Sequence, residues 1–233
     1  MMLRAFIMAI GLCISLIACS TPAVSVRWDY GSGSNIDEIW TTNVEFYHAG
    51  TFIGGYPGGG GGPSTSAKWI REKQYYWAGG GGLPVDGMPI PDRAIIEMVS
   101  FYDRKRYRIK VDLPADLAQQ MRQRYQIGER IDQRSWLYFG LAPGGYYEVL
   151  LKGDKLLVKP DLLLARGIAE EVTDDWRDKV VPLEKQYEKR WGGFDKKYGE
   201  LFKQHPIPLG MDWAPIMDTY RANQPKTDQH LVK

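Results

Sequence analysis

Residues 105–113 read Lys105-Arg106-Tyr107-Arg108-Ile109-Lys110-Val111-Asp112-Leu113. Apolar and charged residues alternate along the whole of this stretch. Since successive side chains of a β-strand point to opposite faces, the alternation predicts a strand with one buried face and one solvated face. The apolar residues 94–102 come just before it, and Asp103-Arg104 is the predicted turn between the two. The sequence therefore predicts an antiparallel hairpin at the centre of the chain.

A second hairpin is predicted downstream, from residues 136–141 and 146–151. The connection reads Ala142-Pro143-Gly144-Gly145. Pro followed by Gly favours a type II turn, because Gly adopts the positive φ that other residues avoid. Further strands are predicted at residues 26–30, 39–52, 156–158 and 162–168.

Two helices are predicted, one short and one long. Pro114 suits the first position of the short helix, whose apolar stripe would comprise Leu117, Met121 and Tyr125. From Asp174 onward, large apolar residues recur at steps of three and four, which predicts a C-terminal amphipathic helix of about seven turns. That stripe consists of Trp176, Val180, Leu183, Tyr187, Trp191, Phe194, Tyr198 and Leu201. Pro182 and Gly192-Gly193 are expected to kink or divide the helix, and Pro206 to follow its end.

These patterns together predict an α+β fold, in which antiparallel hairpins form one or two sheets packed by one short and one long helix. We expect a single domain over residues 26–222 and a disordered polar tail over residues 223–233. The chain has 30 basic and 28 acidic residues. A balance this close to neutral gives no reason to expect a nucleic-acid partner.

The N-terminus has the layout of a secretory signal, in which Arg4 precedes an apolar run over residues 5–17. This run is shorter than the roughly 20 apolar residues that span a bilayer. Leu16-Ile17-Ala18-Cys19 resembles the lipobox of bacterial lipoproteins. The resemblance implies that residues 1–18 are a signal peptide, that Cys19 is lipidated and that residues 19–25 form a tether. Ser20 resembles the signal for the outer membrane.

The sequence matches none of the common catalytic motifs. Gly31-Ser32-Gly33-Ser34-Asn35 does not match the nucleophile pattern GxSxG, and no HExxH or paired-Cys spacing offers a zinc site. The Gly runs 58–62 and 79–82 lack the Lys and hydroxyl residue of a P-loop. We therefore expect a protein that is not an enzyme and that holds no cofactor or metal. With Cys13 in the signal and Cys19 acylated, no disulfide is expected.

The order of these segments resembles the lipoproteins of domain-of-unknown-function family 2931. The resemblance covers roughly residues 26–172, and its most specific part is Gly140-Leu141-Ala142-Pro143-Gly144-Gly145. Some similar lipoproteins act as immunity proteins against type VI secretion effectors, notably phospholipases. The resemblance implies a periplasmic protein, anchored in the outer membrane, that binds and neutralises such an effector. It supplies no catalytic residues.

A neutralising protein needs an exposed surface complementary to its target, and aromatic side chains supply rigid contact area. The sequence offers five candidates for partner binding: Tyr56, Tyr75, Tyr76, Trp77 and Trp213. Each of these residues could instead be an aromatic side chain that packs in the core or within a loop. An alternative function is an envelope lipoprotein with a structural or glycan-binding task, in which sugars stack on Trp77 or Tyr76.

Overall fold

The structure is a computed structural model that describes residues 26–56, 60–61, 65–77, 87–153 and 155–232. Its β-strands are β1 (Asp29–Gly33), β2 (Ile39–His48), β3 (Thr51–Tyr56), β4 (Gly60–Gly61), β5 (Arg93–Ser100), β6 (Lys105–Asp112), β7 (Arg124–Ile127), β8 (Arg130–Ala142), β9 (Tyr146–Gly153), β10 (Leu162–Ile168) and β11 (Glu170–Glu171). Its helices are α1 (Ala67–Glu72), α2 (Leu117–Arg122), α3 (Trp176–Val180), α4 (Leu183–Gln204) and α5 (Ala214–Ala222). The predicted α+β class is confirmed.

The strands form two sheets. The first sheet has the order β1-β8-β9-β10, with β7 also paired to β8. The second sheet has the order β11-β6-β5-β2-β3, with β4 also paired to β2. All of these pairs are antiparallel except β1 with β8, which is parallel. No helix within the described residues has the length and apolar character needed to cross a bilayer.

Two hydrophobic cores hold the layers together. The first contains Val44, Ile96 and Ile109 from the second sheet and Phe139 and Val149 from the first, so it lies between the sheets. The second joins side chains on the other faces of the strands to α1, α4 and α5. The helices contribute to it Ile70, Tyr187, Trp191, Phe194, Tyr198, Phe202 and Met217.

The central hairpin is confirmed, with one exception on its solvated face. β5 pairs with β6 around a turn in which Arg104 takes a positive φ of 55°. Tyr107, Ile109 and Val111 are buried, as the alternation predicts. The prediction that Arg106 faces solvent is wrong, because this side chain is fully buried. Its position opposite carboxylates from α3 explains the burial and is described below.

The second hairpin, β8 with β9, is also confirmed. At its turn Gly144 has φ 79° and ψ 15°, the conformation that a type II turn requires. A Cβ atom on Gly144 would lie 2.2 Å from the backbone nitrogen of Gly210. Gly140 meets a different constraint, since its Cβ would lie 2.4 Å from the ring of Trp77. Gly140 and Gly144 of the motif are therefore required by close packing.

Several boundaries differ from the predictions. The first strand begins at Asp29 rather than at residue 26, and it takes in Gly31 and Gly33 by pairing in parallel with β8. Residues 39–52 form two strands, β2 and β3, which meet at a turn. Residues 156–158 form no strand. The Gly runs fall mostly outside the described residues, although β4 pairs with β2.

The helices also differ in part from the predictions. Pro182 separates α3 from α4, as expected, because it cannot continue a helix. Gly192-Gly193 lies inside an unbroken α4, so the predicted kink there is wrong. α2 begins at Leu117, three residues after Pro114, and Tyr125 belongs to β7 instead of the helix.

The C-terminal segment was expected to be a disordered tail. In the structure its residues 223–232 pack on the domain. Leu231 forms a β-bridge with Tyr125, and the Nη2 atom of Arg134 donates to Asp228 at 2.9 Å. The backbone nitrogen of Thr227 also donates to the carbonyl of Lys159 at 2.9 Å.

We predict that alanine has opposite effects at two of the glycines. Gly144→Ala should lower the free energy of unfolding by about 3 kcal/mol, because it adds strain at a positive φ and a clash with Gly210. Gly192→Ala should raise it by about 0.5–1 kcal/mol, since Gly192 lies in α4 with open space around it. Urea unfolding of both variants measures these changes in the free energy of unfolding. Equal stabilities of the two variants would contradict the turn geometry.

Candidate functional site

Of the five aromatic residues predicted to contact a partner, three are buried. Tyr75, Trp77 and Trp213 all lie in the second core, so the prediction that they are exposed is wrong. The indole nitrogen of Trp213 donates to the carbonyl of Pro143 at 3.1 Å, and Tyr75 packs edge-on against the Trp213 ring. Tyr76 is half-buried. The side chain of Tyr56 and the whole of Cys19 lie outside the described residues.

A buried carboxylate explains why Trp77 points inward. Glu148 of β9 is fully buried. It accepts hydrogen bonds from the indole nitrogen of Trp77 and from the hydroxyl of Tyr146, each at 2.6 Å. Arg221 of α5 donates to the same carboxylate, and its Nη2 atom lies 2.5 Å from Asp218. We call this set of side chains the Glu148 hub, and it attaches both residue 77 and α5 to the first sheet.

A buried lysine holds the same segment by its backbone. Lys152 lies four residues after Glu148 on β9. Its Nζ atom donates to the carbonyl of Trp77 at 3.2 Å. The ammonium lies 4.2 Å from the ring centroid of Tyr138. Burial lowers the pKa of Lys152 to about 8, although the nearby Asp161 acts in the opposite direction. Residue 77 is therefore fixed at both its side chain and its main chain.

The two attachments create a groove between residues 73–76 and α5. Its cavity has a volume of about 870 Å³. The residues that line it are Lys73, Gln74, Tyr75, Tyr76, Lys159, Pro215, Ile216, Thr219, Tyr220, Asn223, Gln224 and Pro225. Tyr75 and Tyr76, two of the five candidates for partner binding, both line this groove. We call this cavity the α5 groove.

A second feature, α3, is held in place by charged side chains. The carboxylate of Asp175 caps α3 by accepting from the backbone nitrogen of Arg177 at 2.7 Å. The guanidinium of Arg177 also donates to the carbonyl of Thr42 at 3.0 Å and to Glu97 at 3.2 Å. Hydrogen bonds from Arg177 hold the pKa of Asp175 below its usual range. This capping residue is buried.

Arg106 holds the other side of α3. Its Nη2 atom donates to Asp178 at 3.0 Å, and its Nε atom lies 3.7 Å from Asp175. Gln186 of α4 donates to the same Asp178 oxygen at 2.7 Å and to the carbonyl of Val181 at 2.6 Å. The short helix is therefore attached to the second sheet and to α4 through its polar side chains.

The apolar side chains of this region face outward. Trp176, Val180 and Val181 are 70, 73 and 42 % exposed. The sequence assigned Trp176 and Val180 to the buried stripe of one long helix, and the structure contradicts that assignment. With the polar attachments and the break at Pro182, the apolar side chains of α3 do not continue the buried stripe of α4. We call these three residues the α3 surface.

The sequence carried weak signals for the residues that it did not identify. Glu148 is the single charged residue in the otherwise apolar stretch from Tyr146 to Leu151, which marks a buried charge. Within the part of the chain that the structure describes, no cluster of three or more His, Cys, Asp or Glu residues is placed to hold a metal ion.

Comparison with known proteins gives one match. A family model described as "Protein of unknown function (DUF2931)" matches residues 10–210. No curated protein and no solved structure matches the chain.

We predict that Glu148→Gln lowers the free energy of unfolding by about 3 kcal/mol, because Arg221 would lose a buried counter-ion. Adding Arg221→Met should restore part of the loss, since it removes the guanidinium that would be left with only the half-exposed Asp218 as its counter-ion. Glu200→Gln is the matched control in the exposed pair Lys203–Glu200, and it should change stability by less than about 0.5 kcal/mol. Chemical unfolding of the three variants and of the wild type measures these differences. Equal losses at Glu148 and Glu200 would show that the hub does not stabilise the fold.

Proposed function

The chain belongs to the family of proteins of unknown function DUF2931, and we propose that it neutralises a secreted toxin while anchored by lipid to the periplasmic face of the outer membrane. The proposed anchor is Cys19, at the end of the lipobox-like Leu16-Ile17-Ala18-Cys19. The proposed target is a type VI secretion effector, with a phospholipase as the expected enzyme. In this proposal the chain itself is a binding protein and catalyses no reaction.

The α3 surface is the observation that carries this proposal. Tryptophan is among the residues most enriched where single side chains dominate a protein–protein interface. Trp176 stands 70 % exposed beside Val180 and Val181, so three apolar side chains are available together. Large exposed apolar groups of this kind mark interaction sites when they are contiguous.

The way in which α3 is held also supports a binding role. Asp178 and Arg177 fix the helix through hydrogen bonds to the sheet and to α4, as described above. A surface that is already ordered loses little conformational entropy when it binds. The apolar side chains are therefore presented in one arrangement before a partner arrives.

The chemistry of the α3 surface suits a phospholipase. An enzyme that acts on lipids must present an apolar face to a membrane or to the acyl chains of its substrate. Trp176 and the two valines would pack on such a face and exclude the lipid from it. Binding of this kind requires no catalytic group on the neutralising protein.

We predict that Cys19→Ser abolishes lipid attachment. Labelled palmitate should be incorporated into the wild-type protein and not into the variant, and the variant should leave the membrane fraction. Cys13→Ser is the matched control, because Cys13 lies inside the predicted signal peptide, and it should leave both properties unchanged. The proposed location is refuted if the wild-type protein takes up no palmitate.

We also predict that Trp176→Ala weakens neutralisation without unfolding the protein. The toxin to test is the product of the gene next to the one that encodes this chain. Cells that direct this toxin to the periplasm should survive when they carry the wild-type chain. With Trp176→Ala, the affinity for that toxin should fall by about thirtyfold, the effect of losing a dominant interface side chain. Stability should change by less than about 0.5 kcal/mol, because the side chain is exposed.

Phe52→Ala is the matched control for this experiment. Phe52 is an aromatic residue of β3 that is 56 % exposed and packs against Tyr47 of β2. Its replacement should leave both survival and affinity unchanged. If the toxin kills cells equally with and without the wild-type chain, the neutralising role is excluded. If Trp176→Ala and Phe52→Ala behave alike while the wild type protects, the α3 surface is not the interface.

A further inference from the structure

The α5 groove contains a row of aromatic rings that the neutralising role does not use. The ring centroids of Tyr76 and Tyr220 lie 6.4 Å apart, and their planes are inclined by 34°. Trp69 extends the row, with its ring 5.3 Å from that of Tyr76. All three side chains are half-buried, so each keeps part of its surface open. Burial raises the pKa of both tyrosines, which therefore stay neutral at pH 7.

The remaining lining of the α5 groove combines the apolar side chains of Pro215, Ile216 and Pro225 with polar and basic groups. Amide side chains come from Gln74, Asn223 and Gln224, and hydroxyl groups come from Thr219 and the tyrosines. The charged residues among those that line it are Lys73 and Lys159. The Nζ atom of Lys159 lies 2.7 Å from the buried Asp161, which offsets that charge. Lys73 is exposed, so the groove presents a cation at its edge.

The residues that line the groove belong to loops and to α5 and the segment that follows it, and none belongs to a strand. An extended peptide therefore finds no strand edge there on which to add its own backbone hydrogen bonds. Sugars are bound through different contacts. The apolar C–H face of a pyranose packs on an aromatic ring, and its hydroxyl and N-acetyl groups need donors and acceptors at the rim.

We propose that the α5 groove binds a glycan chain that carries N-acetyl groups and a carboxylate. Tyr76 and Tyr220 would stack successive sugar rings, and Lys73 would meet the carboxylate. The amides of Gln74 and Asn223 would bond to hydroxyl and N-acetyl groups, whereas the amide of Gln224 is already bonded to Asp161. This site lies apart from the α3 surface and goes beyond the neutralising role. Trp77 is buried, so sugars cannot stack on its ring. Tyr76 keeps part of its ring exposed and can serve as the stacking surface.

The position of the groove depends on the Glu148 hub. Trp77 follows directly after Tyr76, and Arg221 follows directly after Tyr220, and both donate to Glu148. The hub thus fixes the residues next to the two stacking tyrosines. The spacing of the rings is set by the folded protein before any ligand binds, which reduces the entropy lost on binding.

The test is a calorimetric titration of the full-length protein in a detergent that contains no sugar. The probe is the disaccharide of N-acetylglucosamine and N-acetylmuramic acid, which has a carboxylate, and the comparison is N,N′-diacetylchitobiose, which lacks one. We expect the acidic disaccharide to bind more tightly by about tenfold, the effect of one charge-assisted contact. A proline-rich peptide is titrated in parallel.

Substitutions locate the binding in the groove. Tyr76→Leu should weaken it by about tenfold through loss of a stacking face, whereas Tyr76→Phe should retain it. Lys73→Gln should abolish the preference for the acidic disaccharide. Lys68→Gln, at an exposed lysine of α1 that does not line the groove, is the matched control and should change nothing.

Three results would overturn the proposal. The first is no heat of binding for either disaccharide at millimolar concentration. The second is binding that Tyr76→Leu leaves unchanged in a variant whose thermal unfolding matches the wild type. The third is binding of the proline-rich peptide alone, which would identify the groove as a peptide site. None of these results depends on whether the chain neutralises a toxin.

Discussion

The buried carboxylate of Glu148 is the interaction on which the helical side of the molecule depends. An ionised carboxylate in a protein interior costs several kcal/mol unless hydrogen bonds and an opposite charge compensate it. Here an indole, a phenol and a guanidinium converge on it, from Trp77, Tyr146 and Arg221. Trp77 and Arg221 lie outside β9, the strand that carries Glu148. The need to compensate one charge therefore fixes where residues 73–77 and α5 lie.

A second set of charges does the same for the other sheet. The basic residues Arg104, Lys105, Arg106 and Arg108 of the central hairpin each meet a carboxylate of the same chain. Three of those partners, Glu171, Asp178 and Asp195, lie more than sixty residues further along. The pairs at the surface contribute little stability individually. The buried pairs determine position instead, because an uncompensated Arg106 could not remain fully buried.

Local patterns were sufficient to predict the strands and turns that depend on neighbouring residues. Alternation identified β6, apolar runs identified β5, β8 and β9, and the Pro-Gly pair identified the turn at Gly144, because these signals come from the residues involved. Long-range pairing was beyond such patterns. Nothing near residue 29 shows that β1 runs parallel to β8, and nothing near Arg106 shows that Asp178 will cover it. The predicted contact residues failed for the same reason, since Trp77 and Trp213 find their partners at Glu148 and Pro143, about seventy residues away.

The side-chain alternation of the two sheets separates the two proposed surfaces. Val149 lies in the core between the sheets, so its neighbour Glu148 points to the outer face of the first sheet, where the α5 groove is formed. Tyr107 and Ile109 lie in the same core, so Arg106 and Arg108 point to the outer face of the second sheet, toward α3. The proposed toxin and the proposed glycan would therefore approach from different faces and would not compete for one site. With the proposed lipid anchor at Cys19, the chain could then hold an envelope polymer through the groove while α3 stays free for a protein partner.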